Sequence, residues 1–350
     1  MSKHISFLLP SLKFGGAERV VITLAEEFCK LGYKVDILLM SYEGEFLEEA
    51  VSRFNVVDLN CNKTYKLPFK ILVYLFSNKP DVIISSFWKL NLCSCLTRIM
   101  FPFFKLLLWE HALPSKSTNH SNWIFSITAS IFYQFATKVV VVSTGVYADI
   151  VNMTFGTRHL MTIIFNPISP PKKRCANRDS NNNTIISVGR LELEKNHYLL
   201  FDAFAIVTKK YNTRLIIVGS GSLKVKLEFY AEKLGICDRI EFVGFQSDPY
   251  IYISKAQLLV LSSDHEGFGN VIVEALYCGL SVVSTDSGSG IHDILLDGKY
   301  GTIVPRNDKI ALSQAIMSEL KFGRAPDQQK QAARRFSPHK IAKDFLEAME

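Results

Sequence analysis

The sequence has 350 residues, of which 48% are hydrophobic and 21% are charged, and its formal net charge is +7. This composition is typical of a folded globular protein and argues against intrinsic disorder. The length exceeds what one hydrophobic core usually organises, so we expect two domains. The seven cysteines are odd in number and scattered, which does not fit a disulfide framework and indicates a reducing compartment.

The positive charge has two interpretations: a mildly basic soluble protein, or attraction to anionic lipid or to a diphosphate-bearing substrate. Residues 63–76 and 98–105 mix cations with aromatic side chains, as segments at a membrane interface do. Alternatively, each is a core-packing helix with solvated lysines. The most apolar region, 87–109, is interrupted by charged residues and a proline, so we predict no spanning helix.

Short apolar runs alternate with amphipathic stretches along the chain, which predicts parallel sheets covered by helices on both faces. The N-terminus indicates a first strand rather than a signal peptide. In the first half, the predicted strands are 5–10, 35–40, 54–59, 82–86, 105–110 and 138–143. The predicted helices between them are 16–31, 68–76, 91–100, 123–135 and 145–155.

The second half repeats this alternation after a polar, proline-containing segment at 166–183, which we interpret as a linker. Its predicted strands are 184–188, 214–218, 240–243, 256–261, 281–284 and 301–304. The end of the chain, 310–350, is predicted to be helical. The predicted domains are therefore 1–165 and 184–322, each Rossmann-like, followed by C-terminal helices at 323–350 that could pack back on the N-terminal domain.

The strongest motif lies between a predicted strand and a predicted helix, where Glu266 and Glu274 flank a glycine-rich turn. Such a turn presents free backbone N–H groups and the positive end of a helix dipole, which suits a phosphate. On a continuous helix the two carboxylates would be about 12 Å apart. That separation is too large for a glycosidase pair and suits one elongated ligand held at both ends. The alternative is a helix N-terminus with incidental acids.

Three weaker motifs also follow predicted strands. Arg190 and Lys195 flank a turn and are suited to a diphosphate, although such cations are common surface residues. Gly15 and Gly16 open a helix where backbone can approach a phosphate or sugar, or they form a plain tight turn. His111 follows a central strand and could hydrogen-bond a substrate hydroxyl or be merely structural. The fingerprints of dinucleotide-binding proteins, serine hydrolases and P-loop NTPases are missing.

The run Glu266-Gly-Phe-Gly-Asn-Val-Ile-Val-Glu274 resembles the E-x7-E motif of the retaining GT-B glycosyltransferases of family 4, and the Val188-Gly-Arg-Leu run with Lys195 is similar to that family's diphosphate-binding residues. Gly15, Gly16 and the position of His111 resemble members that build bacterial O-antigen, capsule and lipid-linked oligosaccharides. The resemblance implies two Rossmann-like domains whose parallel sheets face a central cleft. Two departures are Asn196, where many members have glycine, and residues 287–290, which replace a proline-containing loop.

The resemblance also implies roles for single residues. Glu274 would hold the ribose, Glu266 hydroxyls of the donor sugar, and Arg190 with Lys195 the diphosphate. Gly16 would approach the diphosphate, and His111 would lie near the donor sugar's primary alcohol. Backbone contacts to the donor would come from the turn between the two glutamates, namely Gly267, Phe268, Gly269 and Asn270. Gly15 is the remaining donor-binding candidate.

From these observations we expect transfer of a hexose or N-acetylhexosamine from a UDP-sugar to a lipid-diphosphate-linked glycan, without a metal ion or other cofactor. The expected partners are the donor, this acceptor and an anionic membrane surface, with no nucleic acid. The expected location is the cytoplasm, with association to the inner face of the plasma membrane left open. The alternatives are a GT-B sugar-nucleotide epimerase, a phosphorylase, and a sugar-nucleotide-binding protein without activity.

Overall fold

The computed structural model describes residues 3–13, 15–116, 121–172 and 183–350. Phe14, Cys175 and residues 173–182 of the predicted linker lie outside the described residues. Contacts divide the chain into two compact units, Met1–Ile168 with Phe336–Glu350, and Ser169–Arg335. By this division, residues 323–335 group with the second unit, and only the last fifteen residues return to the first.

Each unit contains one parallel sheet, with seven described strands in the first unit and six in the second. The strands of the first sheet are β1 (His4–Leu9), β2 (Lys34–Leu39), β3 (Asn55–Asp58), β4 (Val82–Ser86), β5 (Lys105–Glu110), β6 (Lys138–Val141) and β7 (Met161–Ile163). Those of the second are β8 (Thr184–Val188), β9 (Arg214–Val218), β10 (Ile240–Gly244), β11 (Leu258–Leu261), β12 (Ser281–Thr285) and β13 (Thr302–Val304).

Helices connect these strands and cover the sheets. In chain order they are α1 (Gly16–Lys30), α2 (Leu47–Val51), α3 (Leu67–Asn78), α4 (Trp88–Met100), α5 (Asn122–Phe132), α6 (Thr144–Met153), α7 (His197–Val207), α8 (Lys224–Lys233), α9 (Tyr250–Ile253), α10 (Asn270–Tyr277), α11 (Ser289–Leu295), α12 (Lys309–Phe322), α13 (Pro326–Ala333) and α14 (Pro338–Ala348). Within the described ranges, no helix is long and apolar enough to cross a membrane.

The strand orders are β3-β2-β1-β4-β5-β6-β7 and β10-β9-β8-β11-β12-β13. The chain therefore reverses its direction of travel across the sheet between β1 and β4 in the first unit, and between β8 and β11 in the second. Central strands such as β1 are buried along their whole length, because helices cover both faces of a parallel sheet. Ligands of open parallel sheets bind at the carboxyl ends of the strands beside such a reversal.

The predicted α/β class and the two parallel sheets are confirmed. All twelve predicted strands are present, with ends that differ by a few residues. The sequence analysis missed β7 and α2, which have three and five residues. Elements this short hold too few residues for a periodic pattern to become visible.

Candidate functional site

The two strongest motifs follow neighbouring strands of the second sheet. The loop with Arg190 and Lys195 follows β8, and the loop with Glu266 follows β11. These strands pair directly, with Ile185 opposite Leu258. Both loops therefore leave the sheet at its carboxyl edge on the two sides of the reversal, which is where a ligand site is expected.

An ion pair joins the two loops. The Lys195 Nζ lies 2.6 Å from the Glu266 Oε1, and the two side chains are only 20% and 13% exposed. The Ser263 hydroxyl donates a second hydrogen bond, of 2.7 Å, to the same Glu266 oxygen. Two donors on one oxygen fix the orientation of this carboxylate, and the neighbouring ammonium keeps positive charge beside it.

Further hydrogen bonds hold the two loops in fixed positions relative to each other. The Ser262 hydroxyl donates to the carbonyl of Lys195 at 2.9 Å, and the Asp264 N–H donates to the carbonyl of Glu194 at 2.8 Å. The amide of Asn196 donates to the Asp264 carboxylate at 2.9 Å. The ion pair is therefore one contact of a connected set, and its geometry is fixed by the loops themselves.

Asn196 has the backbone conformation that a glycine would favour. Its φ of 46° is left-handed, which asparagine tolerates better than most residues. Its side chain also caps α7 by accepting from the Leu199 N–H at 3.2 Å. The loop therefore keeps a left-handed turn at this position although asparagine replaces glycine.

The next residue, His197, is buried. Burial lowers the pKa of His197 to about 4, and the positive charge of Lys195 contributes to the same shift.

The glycine-rich turn ends at the N-terminus of α10. Gly269 precedes the helix with a φ of 100°, which explains why glycine stands there. Asn270 is the first helical residue, and Glu274 lies one turn further along. Glu266 lies outside the helix, so the expected separation of about 12 Å for a continuous helix does not apply. What remains is a carboxylate before the turn, a helix N-terminus that favours anions, and a second carboxylate after it.

The remaining members of the turn support it in different ways. Phe268 is buried, with 3% of its surface exposed, so its side chain packs in the core while its backbone shapes the turn. Gly267 lies beside Gly290 of the helix α11. Glu274 is close to Tyr250, whose pKa is raised well above its usual value by burial and then by the charge of Glu274.

Arg190 lies at the rim of this site. Its guanidinium pairs with Glu194 at 2.7 Å across four residues, and 65% of its side chain is exposed. An exposed pair of this kind contributes at most about 1 kcal/mol, so an anionic ligand could displace it at little cost. In the second unit, the loop that carries Arg190 and Lys195 therefore lies beside the loop that carries Glu266 and the turn to Glu274.

The sequence analysis named residues 287–290 as a departure from the family but did not predict that the start of α11 packs against the turn. A Cβ on Gly290 would lie 2.7 Å from the carbonyl oxygen of Gly267 and 2.8 Å from the Cα of Phe268. The Glu266 N–H also donates to the carbonyl of Ser287 at 2.9 Å. The loop 287–290 thus supports the backbone that carries Glu266. The two glycines of this loop are the sequence feature that could have predicted the close packing, because glycine is favoured where two backbones approach closely.

In the first unit, Gly15 and Gly16 lie after β1, at the reversal of that sheet. Gly15 precedes α1 with a φ of −166°, an extended conformation open to any residue. A Cβ there would meet only the end of the flexible Glu18 side chain. Glycine is required more strictly at Gly44 than at Gly15. The φ of Gly44 is 122°, and a Cβ added there would lie 2.0 Å from the backbone of Leu12. Gly44 therefore positions the loop that leads to Gly15 and Gly16.

His111 lies two strands away from these glycines, directly after β5. Its Nε2 is 3.3 Å from the Ser86 hydroxyl, and its ring packs against Trp109 with centroids 4.6 Å apart. Burial lowers the pKa of His111 to about 3, so the imidazole is neutral at pH 7. The Nδ1 is buried and has no hydrogen-bond partner among the described residues. A neutral imidazole can donate or accept one hydrogen bond at each nitrogen, which fits contact with a hydroxyl.

Two features beside His111 were not predicted. Phe87 immediately precedes α4 and has a φ of 74°, which is rare for a bulky residue, and its ring lies 5.6 Å from that of His111. Glu110 is buried and accepts hydrogen bonds from Asn91, at 2.7 Å, and from Tyr133. Burial raises the pKa of Glu110 to about 7 although both hydrogen bonds oppose the shift. Spacing alone could not show that these distant residues meet.

Comparison with protein families identifies both halves of the chain. Residues 14–171 match the family "Glycosyltransferase Family 4", and residues 170–336 match "Glycosyl transferases group 1". A Campylobacter jejuni protein is 28% identical over 98% of both chains and is named N-acetylgalactosamine-N,N'-diacetylbacillosaminyl-diphospho-undecaprenol 4-alpha-N-acetylgalactosaminyltransferase. A lipopolysaccharide 1,6-galactosyltransferase of Salmonella typhimurium is 24% identical over 88% of both chains.

Among solved structures, Anabaena HepE in complex with UDP and glucose matches with a TM-score of 0.82 and 21% identity, over 98% of both chains. This likeness supports the fold seen in both sheets. Together the two family models span residues 14–336. The chain belongs to the family-4-like glycosyltransferases with the GT-B fold.

Proposed function

We propose that this glycosyltransferase moves a hexose or N-acetylhexosamine from a UDP-sugar to a lipid-diphosphate-linked glycan, with retention of anomeric configuration, in surface polysaccharide biosynthesis. The observation that carries the proposal is the Lys195–Glu266 pair at the reversal of the second sheet, beside the N-terminus of α10. A cation, a helix N-terminus and two carboxylates suit a ligand that has a diphosphate between two hydroxyl-rich rings.

The relatives support both substrates. The Campylobacter relative's name describes transfer of N-acetylgalactosamine to a glycan on diphospho-undecaprenol. The Anabaena structure of the same fold was solved with UDP and glucose. The same two classes of molecule, a uridine nucleotide and a lipid-diphosphate-linked glycan, are therefore the first to test for this chain.

In this proposal Lys195 and Arg190 neutralise the diphosphate as it leaves, which lowers the energy of the transition state. Glu266, held by Lys195 and Ser263, accepts hydrogen bonds from the donor sugar, and Glu274 accepts them from the ribose. Gly16 would contact the diphosphate, with Gly15 beside it. His111, neutral at pH 7, would bond a hydroxyl of the donor sugar.

The two cations could supply the charge that a metal ion supplies in other transferases, so we propose that transfer needs no metal. The test measures the rate of transfer in EDTA alone, in EDTA with excess Mg²⁺, and in EDTA with excess Mn²⁺. The expected result is an unchanged rate in all three conditions. A rate that falls in EDTA and returns with either metal would contradict the proposal.

The main test is transfer from UDP-GalNAc, UDP-GlcNAc, UDP-Gal and UDP-Glc to undecaprenyl-diphosphate-linked glycans, measured by mass spectrometry. We expect product with at least one donor, an α-linkage by NMR when the donor is an α-linked UDP-sugar, and no product from Glu266→Ala. Conversion of the UDP-sugar to its epimer without any acceptor would favour the epimerase instead. Tight UDP binding without either reaction would favour a binding protein.

A further inference from the structure

Three successive helices of the first unit expose apolar side chains to solvent in helical stripes. Each stripe follows the spacing of one helix face, with members three or four residues from the first or from the preceding member. The stripe on α3 is Phe69, Val73 and Phe76, that on α4 is Leu96, Ile99 and Met100, and that on α5 is Trp123, Ile127 and Ile131. Phe103, which is 79% exposed, follows α4.

Helix α3 is apolar on its opposite face as well. On α3, Leu67, Ile71 and Leu75 are buried, so the exposed stripe is not needed for the core. A helix that is apolar all round is normally covered on every side. Helix α3 contacts α4, and α4 contacts α5, so the three stripes lie on adjoining helices. We call the exposed side of α3, α4 and α5 the apolar face.

The helices of the apolar face lie in a stretch of the chain that has a strong excess of positive charge. Between Asp58 and Asp149 the sequence has nine Lys and Arg residues but only two acids, Asp81 and Glu110. The net charge of this stretch is therefore +7, which equals that of the whole chain, so the remaining residues carry no net charge. Glu110 is buried, and the Asp81 carboxylate accepts a hydrogen bond from the backbone of His4.

Exposed lysines lie next to the apolar stripe of α3. Lys63 and Lys66 precede the helix, and Lys70 lies within it beside Phe69. Among the described residues, none of the nine cations forms an ion pair with an Asp or Glu side chain, although Lys105 donates to the main-chain oxygens of Met349 and Glu350. Aromatic and aliphatic side chains surrounded by unpaired lysines are the composition of a surface that rests in the headgroup region of a bilayer.

We propose that the apolar face docks on an anionic phospholipid bilayer. The stripes would enter the boundary between headgroups and acyl chains, and the lysines would contact the lipid phosphates. A second copy of the chain is the less suitable occupant, because it would bring two strongly positive surfaces together. The proposal is independent of the donor site, since lipid binding can be measured without any sugar substrate.

The first experiment measures sedimentation of the full chain with vesicles of phosphatidylcholine alone or with 30–50% phosphatidylglycerol, on the order of cytoplasmic-leaflet charge. We expect the protein to bind the anionic vesicles at least about tenfold more tightly than the neutral ones. Binding to the anionic vesicles should also weaken as the salt concentration is raised. Equal binding to both compositions, or binding to neither, would overturn the proposal.

Matched variants separate this face from the rest of the surface. Phe69→Ser with Phe76→Ser, and separately Lys66→Glu with Lys70→Glu, should each weaken vesicle binding at least about tenfold. The control is Phe229→Ser with Lys226→Glu on α8 of the second unit, where Phe229 is exposed to a similar degree. Thermal unfolding of each variant shows whether it is folded. An equal loss in the control would show that binding is not specific to this face.

Trp123 offers an internal probe, because it is 66% exposed on α5 whereas Trp109 is fully buried. On docking, its emission should shift to shorter wavelength and be quenched by lipids brominated on their acyl chains. Trp123→Phe should remove this response and leave sedimentation with vesicles within about threefold. Light scattering tests the alternative occupant. If the protein is a dimer that does not bind vesicles, and Phe69→Ser with Phe76→Ser converts it to a monomer, a second copy covers the face.

Discussion

Arg190 and Glu194 form a surface pair in this structure, whereas the proposed function assigns Arg190 to the leaving diphosphate. We predict that Arg190→Ala lowers the rate of transfer by about 10²–10³, which is what the loss of one electrostatic stabiliser usually costs. Glu194→Gln is the matched control, because it removes only the pair. It should leave the rate within about fivefold of the wild type. A near-wild-type rate for Arg190→Ala would remove this residue from the site.

Glu110 makes the stability of the first unit depend on pH. Its pKa in the folded protein, about 7, is above that of an exposed glutamate, so folding favours the protonated form. The stability associated with this proton is present at acidic pH and is lost as pH rises through 7. Between pH 5.5 and 8.5 we expect a loss of about 2 kcal/mol in the free energy of unfolding.

The measurement for Glu110 is urea unfolding at the two pH values, followed by tryptophan fluorescence. All three tryptophans, Trp88, Trp109 and Trp123, belong to the first unit, so the signal reports on that unit alone. Glu110→Gln keeps the size of the side chain and an acceptor for Asn91 and Tyr133, but it cannot titrate. Its stability should therefore change less between the two pH values, and an unchanged difference would show that another group is responsible.

At the level of elements, α11 controls the site through its close contact with the turn that carries Glu266. Gly290→Ala would place a Cβ against the backbone of Gly267 and Phe268, so the turn must move. We predict that kcat/KM for transfer falls at least about tenfold. Ser289→Ala, on an exposed neighbour in the same helix, should leave kcat/KM nearly unchanged. Equal kinetics for the two variants would mean that the turn tolerates the displacement.

Much of this architecture could be predicted because strands and site residues are local in sequence. The buried strand β11 is an uninterrupted apolar run, and Glu266 stands in the loop that follows it. The contact between Lys195 and Glu266 spans 71 residues, and only the rule that loops meet at a sheet reversal connects them. The support from Gly290 and the cluster around Glu110 depend on packing between distant segments. No spacing in the sequence encodes those contacts.

For the molecule as a whole, the two units carry different parts of the proposed activity. The described residues that suit a diphosphate cluster in the second unit, whereas the apolar face and the stretch of net charge +7 between Asp58 and Asp149 belong to the first. We therefore predict that Arg190→Ala binds anionic vesicles as the wild type does. Phe69→Ser with Phe76→Ser should bind UDP normally, as measured by calorimetry. Loss of both properties in either variant would contradict this division.

The last fifteen residues connect the two ends of the chain, because α14 returns to the first unit and packs against α1. Phe345 is fully buried there, with its ring 4.8 Å from that of Trp109 in an edge-to-face contact. Truncation of a buried phenylalanine to alanine usually costs about 3–5 kcal/mol. We predict that Phe345→Ala destabilises the first unit by this amount, although the residue follows the whole second unit in sequence.

Tryptophan fluorescence in urea measures this effect, since the signal comes from the first unit. Unfolding of a two-unit protein need not be a single transition, so the midpoint of the tryptophan signal is the quantity to compare. Phe322→Ala is the control, because Phe322 lies in α12 of the second unit and is 75% exposed. A shifted midpoint for Phe345→Ala alone would show that α14 stabilises the first unit, although it follows the second unit in sequence. Equal midpoints for both variants would mean that α14 contributes little to its stability.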